Sequence, residues 1–172
     1  MKRLFICGIL LLLLLVTGCA SQVLSPEGTT TTVVLIRHAE RTTITKQLTE
    51  GGRRRAAALP AAVADLDINA IYSPRLDRNI DTVRPLAKER NLEITLVAPD
   101  ADHEQVTRRL ITDHPGGTVL WVGNKANLDS IYFNLGGKGK PPVEYGELYV
   151  VRVSDAGKPE VIKKHYGSLY FE

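Results

Sequence analysis

Short apolar runs alternate along this chain with stretches in which apolar residues return every three or four positions, and polar turns separate the two. That rhythm predicts strands and helices in alternation. Val33–Ile36 is the first strand, and a helix is expected from about Arg53 to Asp65, with Pro60 placed to start or kink a turn there. Ala70 to Tyr72 forms a second strand and Arg78–Arg90 a second helix, again with an internal proline, Pro85. Leu92–Val97 alternates polar and apolar as a half-exposed strand, and Glu104–His114 is helical. Thr118–Val122 is apolar enough to be a central buried strand. Asn127–Leu135 gives a short helix, and after the glycine-rich turn Gly136–Gly139, Leu148–Val153 and Glu160–His165 form a closing hairpin around Asp155, Ala156 and Gly157. The expected fold is α/β: a three-layer sandwich whose mostly parallel central sheet is flanked by helices.

The first eighteen residues stand outside this pattern. Lys2 and Arg3 precede an apolar stretch from Leu4 to Val16, long enough for a signal sequence and short of the roughly 20 residues that span a bilayer. Val16-Thr17-Gly18-Cys19 resembles a bacterial lipobox, which implies cleavage before Cys19, lipid on its sulfur and a mature protein held to a membrane. An uncleaved signal anchor is the alternative. Ala20 after the cysteine resembles the sorting signal of outer-membrane lipoproteins facing the periplasm. Residues 1–18 are then a signal peptide, 19–30 a flexible tether rich in Ser, Pro, Gly and Thr, and 31–172 one domain. Cys7 leaves with the signal, so no thiol remains for a disulfide.

Charge changes the picture little. The full chain carries a formal +3 at pH 7, and loss of Lys2 and Arg3 would leave +1. Arg53-Arg54-Arg55 is a single basic cluster of the kind common on solvated helix surfaces, so no nucleic-acid footprint is expected.

The chemistry-bearing residues gather at strand ends. In an open α/β sheet, ligands bind beyond the carboxyl ends of the strands, and there lie Arg37 and His38, Ser73 to Arg78, and Gly123 to Asn127. Imidazole is a competent nucleophile at neutral pH, and guanidinium offers a planar fork that matches two phosphate oxygens. Arg37 and His38 together therefore suit phosphoryl chemistry.

Over nearly the whole domain the sequence resembles the histidine phosphatase superfamily, with its phosphoglycerate-mutase-like fold. Arg37-His38-Ala39-Glu40 is similar to the family's opening motif, whose histidine is phosphorylated. Leu48-Thr49 with Gly52, Arg55-Ala56 and Leu59 resembles the start of its first helix. Tyr72-Ser73-Pro74 with Arg78 and Thr82 resembles the segment carrying its second phosphate-binding arginine. Thr118 to Gly123, Asn127 and Leu135-Gly136-Gly137 continue the match. The resemblance implies His38 as nucleophile and Arg37 and Arg78 as phosphate ligands.

It also exposes a departure. Asn124 stands where the family has a second histidine, and asparagine keeps one amide donor but has neither positive charge nor an exchangeable proton. Loss of one transition-state donor typically reduces rate by about 10²–10³, and loss of acid–base help by about 10²–10⁴. For the general acid, Asp102 and Glu104 are the candidates, because the family often places its acid in that stretch; both also suit an ordinary helix start. Glu40 is a poorer choice, since it is placed to pair with Arg41 or Arg37. His103, His114 and His165 sit at helix ends or on an edge strand and carry little expectation.

No spacing of His, Cys and acidic residues predicts a metal site, and no nucleotide cradle is present, so no cofactor is expected. The partners expected are a phosphorylated small molecule or other phosphomonoester and a membrane, through the lipid anchor. Two functions remain open: hydrolysis through phospho-His38, weakened at Asn124, or a non-catalytic phosphate-binding or interaction module of the bacterial envelope.

Overall fold

A computed structural model describes residues 22–167. The expected signal peptide and the lipidated Cys19 lie outside those residues. In chain order the elements are β1 (Thr30–Arg37), α1 (Glu50–Ala62), β2 (Ala70–Pro74), α2 (Asp77–Arg90), β3 (Ile94–Val97), α3 (His103–Thr112), β4 (Thr118–Gly123), α4 (Lys125–Asn134), β5 (Glu147–Ser154) and β6 (Glu160–His165).

The six strands form one sheet in the order β3-β2-β4-β1-β5-β6. The first four in that order are mutually parallel, while β5 runs against β1 and β6 against β5. Because successive strand residues point to opposite faces, the central strands feed two separate cores. Val33, Leu35, Val119 and Trp121 meet Leu110, Leu128, Ile131 and Tyr132 of α3 and α4. Val34, Ile36, Leu120 and Val122 meet Leu59, Val83 and Leu86 of α1 and α2. The three-layer sandwich read from the sequence is the observed fold.

Helix boundaries move where caps decide them. Thr49 Oγ accepts from Gly52 N–H at 3.0 Å, so α1 starts at Glu50 and not near Arg53. The helix continues through Pro60 before ending at Ala62, and α2 likewise runs through Pro85. Asn91 ends α2 in the left-handed conformation, φ 51°, which delays β3 to Ile94.

One expectation about organisation changes. The stretch assigned to a flexible tether is packed from Gln22 onward: Val23 is 4% exposed and belongs to the core on the α3 and α4 side. Val23 N–H donates to Asn134 O at 2.8 Å, and Ser25 N–H donates to Ser154 O at 3.1 Å. The buried Ser25 hydroxyl bonds those of Thr29 and Thr31, both at 2.8 Å. The polar composition that suggested a linker instead meets the backbone groups left free at the lower end of the sheet. Truncating Val23 tests this placement. A fully buried valine is worth about 2 kcal/mol, so Val23→Ala should lower unfolding free energy in urea by about that amount; an unchanged midpoint would mean that the segment does not pack.

Candidate active site

The register of the parallel strands builds the site. Arg37 pairs with Gly123 across β1 and β4, and His38 N–H continues the ladder by donating to Gly123 O at 2.9 Å. The last residues of β1, β2 and β4 thus reach one rim, as the strand-end rule anticipated. Gly123 has to be glycine for its neighbours' sake: a Cβ there would lie 2.2 Å from Asn127 Oδ1 and 2.7 Å from Trp121 Nε1.

His38 is buried, 3% exposed. Its Nδ1 lies 2.8 Å from Ala39 O. A carbonyl can only accept, so Nδ1 carries the hydrogen and the lone pair sits on Nε2. Burial lowers the His38 pKa most; the hydrogen bond to Ala39 opposes this, and the charges of Arg37, Arg78 and Arg41 lower it further, to about 4. The imidazole is therefore neutral at pH 7, the form in which it can attack a phosphoryl group.

Thr82 holds the turn after His38. Its hydroxyl accepts from Ala39 N–H at 2.9 Å and donates to Arg78 O at 2.7 Å, so the residue pattern that places Arg78 also fixes the loop that carries His38. Asn79 Nδ2 adds a bond to Val122 O at 3.1 Å, tying the start of α2 to the end of β4.

Three guanidinium groups share this rim. Arg37 lies 3.9 Å from the centroid of the Tyr145 ring and donates from Nη1 to Val143 O at 3.0 Å. Arg78 has its pKa lowered by burial and by the charge of Arg41, with Tyr145 opposing and Arg37 adding to the effect. Arg41 donates from Nη1 to Thr42 O at 3.1 Å. In all three the Nε–H is buried without a protein partner. Buried guanidinium donors usually find acceptors, so three unpartnered ones that all act on His38 describe a place for an anion rich in oxygen atoms. Tyr145 closes the set, its ring 5.9 Å from that of His38.

Arg41 and Tyr145 are the site residues that the sequence did not bring forward. Arg41 was considered only as a partner for Glu40, whereas Tyr145 comes from the loop before β5 and no motif marked it. Glu40 pairs with neither Arg37 nor Arg41. Its carboxylate takes Arg55, with Nη2 at 2.6 Å and Nε at 3.0 Å. Burial raises the Glu40 pKa, but the hydrogen bonds and charge of Arg55, helped by Arg37, outweigh it and hold the carboxyl below its usual value.

Arg55 in turn overturns the expectation of a solvated arginine cluster. Arg53 and Arg54 do lie outside on Glu50, but the Arg55 side chain is 7% exposed. Its Nη1 also donates to Tyr166 O and Gly167 O, both at 2.6 Å. Gly146, φ +82°, leaves the space it needs, since a Cβ there would stand 2.3 Å from Arg55 Nη1.

The remaining candidates occupy structural places. Asn124 is the N-cap of α4: its Oδ1 accepts from Ala126 and Asn127 N–H at 3.1 and 3.3 Å, and Asn127 Oδ1 accepts from Asn124 N–H at 2.9 Å. Asn124 therefore stands on the rim with its oxygen engaged and only its amide NH₂ to offer. Asp102 caps α3 by accepting from Gln105 N–H at 2.9 Å, and Glu104 bonds Arg108 at 2.7 Å on an exposed surface. No bond brings either acid to His38; both satisfy the ordinary helix-start pattern. His114 is bound to the Tyr72 hydroxyl at 3.0 Å.

Comparison with known proteins agrees with this fold. Residues 33–98 match the model of the histidine phosphatase superfamily, branch 1. Among solved structures, Bacillus stearothermophilus YhfR is 20% identical, covering 76% of this chain and 95% of its own, with a TM-score of 0.62. The protein histidine phosphatase SixA, complexed with tungstate, is 14% identical, covering 78% and 96%, with a TM-score of 0.58. The Plasmodium falciparum phosphoglycerate mutase is 13% identical, covering 84% and 96%, with a TM-score of 0.54. No curated protein matches the sequence.

Burial of neutral His38 has a measurable consequence. Its folded pKa of about 4 lies below the ordinary 6.5, so as pH falls the unfolded chain takes up the proton first. That contribution to stability is complete above pH 6.5 and is lost progressively between pH 6.5 and about 4. At about 1.36 kcal/mol per pH unit, unfolding free energy should fall by about 2 kcal/mol more between pH 7 and pH 5 in the wild type than in His38→Gln. An equal fall in unfolding free energy for the two proteins, measured by urea titration at the two pH values, would show that His38 is not buried in its neutral form.

Proposed function

Because residues 33–98 match the model of the histidine phosphatase superfamily, we propose that the chain is a phosphatase-like envelope protein in which His38 Nε2 takes the phosphoryl group of a phosphomonoester. The observation that carries this reading is the neutral, buried His38 encircled by three guanidinium groups whose Nε–H donors have no protein acceptor. In the attack the Nε2 lone pair forms the P–N bond as the ester P–O bond breaks, the leaving oxygen departs with the bond's electron pair and takes its proton from water, and Nδ1–H remains on Ala39 O, which stabilises the imidazole as it becomes positive. Arg37, Arg41 and Arg78 meet charge on the equatorial phosphoryl oxygens, the largest share of catalysis in phosphoryl transfer. Water then attacks phospho-His38, releasing phosphate and restoring the imidazole. The lipobox-like sequence supports anchoring through Cys19, with the domain in the periplasm.

A second reading is favoured by a specific observation. Asn124 Oδ1 is engaged in capping α4, and the two candidate acids cap α3 or pair with Arg108. Those positions serve helices, and a protein that binds phosphoryl groups without turning them over needs nothing more from them. The phosphate-binding module is this second reading.

Asn124→His separates the two. It should lower stability by about 1 kcal/mol through loss of the cap and raise hydrolysis of a generic aryl phosphate by at least about 10²-fold. Wild-type turnover should vanish in His38→Ala, because the nucleophile has no substitute. No turnover in either wild type or Asn124→His, with vanadate still bound, would decide for the binding module.

The arginine ring makes an independent prediction. A charge-assisted hydrogen bond contributes about 1.5–3 kcal/mol, so Arg41→Ala should weaken vanadate binding by about 10-fold or more in calorimetry, as should Arg37→Ala and Arg78→Ala. Unchanged affinity in Arg41→Ala alone would remove that residue from the site, and unchanged affinity in all three would remove the site.

A further inference from the structure

A second group of cations adjoins the rim. Lys46, Arg75 and Arg78 line a cavity of about 200 Å³ together with Gln47, and Asp77 is the one carboxylate on its wall. His38, Arg37 and Arg41 do not line it, so Arg78 is the residue that the rim and the cavity share. Among the described residues neither Lys46 nor Arg75 forms an ion pair. Asp77 also lines the larger neighbouring cavity with Arg53 and Arg84, so its single charge faces cations on both sides and leaves the smaller space positive.

Local structure holds both added cations in place. The excursion that starts at Arg41 is closed by the bridge between Arg41 and Leu48, by Thr42 N–H donating to Gln47 O at 2.8 Å, and by a 2.6 Å bond between the hydroxyls of Thr42 and Thr45. Lys46 takes the left-handed conformation there, φ 61°. The other non-glycine residue that does so among the described residues is Asn91, whose short polar side chain suits it. Nothing in a lysine favours that backbone, and glycine would adopt it without steric cost, so the position keeps its side chain against local preference. One ammonium hydrogen goes to Thr43 O, and two remain. Arg75 is fixed at its base, where its N–H donates to Val97 O at 2.9 Å, and its side chain stands exposed.

We propose that this cavity is a second oxyanion subsite of the His38 rim, in which Lys46 and Arg75 hold a carboxylate or phosphate carried by the leaving group of the phosphomonoester. The inference rests on the phosphatase-like reading of the rim. Guanidinium presents five N–H donors in a fixed fork, so Arg78 can face the phosphoryl group on one side and the second acid on the other. Its pKa is already lowered by burial and by the charges of Arg41 and Arg37, and an anion in the adjoining cavity offsets that repulsion from the side the rim leaves open. The alcohol that departs from phosphorus therefore belongs to a molecule with an acid a few bonds away. A neutral alcohol leaves Lys46 and Arg75 to water. Both residues touch the leaving group and not the phosphoryl oxygens, so they select among substrates without meeting the charge that develops on phosphorus.

The test titrates the full-length protein in a calorimeter, at about 0.15 M salt so that distant charges are screened. The probes are propylphosphonate, the bisphosphonate with a phosphonate at each end of the same three-carbon chain, and the phosphonocarboxylate of that chain. Their P–C bonds resist hydrolysis, so affinity is read apart from turnover. One or both diacids should bind the wild type at least about 10-fold more tightly than propylphosphonate, the gain expected from charge-assisted hydrogen bonds, and vanadate should displace them. In the double variant Lys46→Gly with Arg75→Ala that preference should fall to near parity. Glycine keeps the left-handed turn and both positions are exposed, so the loss is not one of folding. Lys125→Ala removes an exposed cation next to Asn124 but outside the cavity, and should keep the preference. Equal affinity of the wild type for all three phosphonates, a preference that survives in the double variant, or one lost equally in Lys125→Ala would overturn the subsite while the rim reading stands. Failure of the wild type to bind vanadate or any of the phosphonates would overturn the rim reading and this inference with it.

Discussion

Three like charges held around one neutral imidazole are the constraint on which the rest of this fold depends. Arg37, Arg41 and Arg78 repel one another and suppress protonation of His38, so each must be fixed by something other than a local counter-charge. Arg37 is held by the Tyr145 ring and Val143 O, and Arg78 by its place at the start of α2, whose Thr82 also pins Ala39. The nearest carboxylate, Glu40, is drawn away by Arg55. Were Glu40 on the rim, it would satisfy the guanidinium groups and compete with any anion. Its pairing with Arg55 keeps the rim positive, and breaking a buried pair by removing one partner is costly.

That pair also joins distant parts of the chain. Arg55 on α1 reaches Glu40 beside His38, the backbone after β6 and the space opened by Gly146, next to Tyr145. The loop that supplies Tyr145 and the loop that carries His38 therefore rest on one buried guanidinium. A rigid placement suits chemistry in which charge stabilisation depends on dipoles and donors already in position.

The alternation of apolar runs with helical periodicity was enough to read the sandwich, because strands buried on both faces and helices with one apolar side leave a clear pattern at the scale of ten residues. Arg37, His38 and Arg78 stood out for a similar reason: Arg37 ends β1, His38 follows it directly and Arg78 closely trails β2. Tyr145 was not, because it approaches from a loop whose course depends on Arg55 and Gly146, residues far away in sequence. The arginine triplet misled in one member, since nothing local distinguishes Arg55 from Arg53 and Arg54 until α1 is docked. The segment 22–29 misled through composition. Ser, Thr and Gly mark flexible linkers, but here the same side chains bond one another and the exposed end of a sheet.

Asn124 shows how one residue can look like a loss and also fit its place. A histidine at the start of α4 would supply charge to a phosphoryl group but is a weaker cap than asparagine. The pairing of Asn124 with Asn127 satisfies both ends of a reciprocal cap, and Asn127 in turn fits only because residue 123 has no side chain. Asn124, Asn127 and Gly123 therefore form one local solution to the strand-to-helix turn. Positive charge at this rim comes instead from Arg37, Arg41 and Arg78. In the proposed function, such an arrangement favours tight binding of a dianionic phosphoryl group in the ground state. Binding the ground state as well as the transition state does not accelerate the chemical step, and a ring of fixed cations without a proton donor leans toward that outcome. On the two proposed readings, the balance between slow turnover and retention of the bound group thus turns on how much more strongly the three arginines hold the transition state than the substrate.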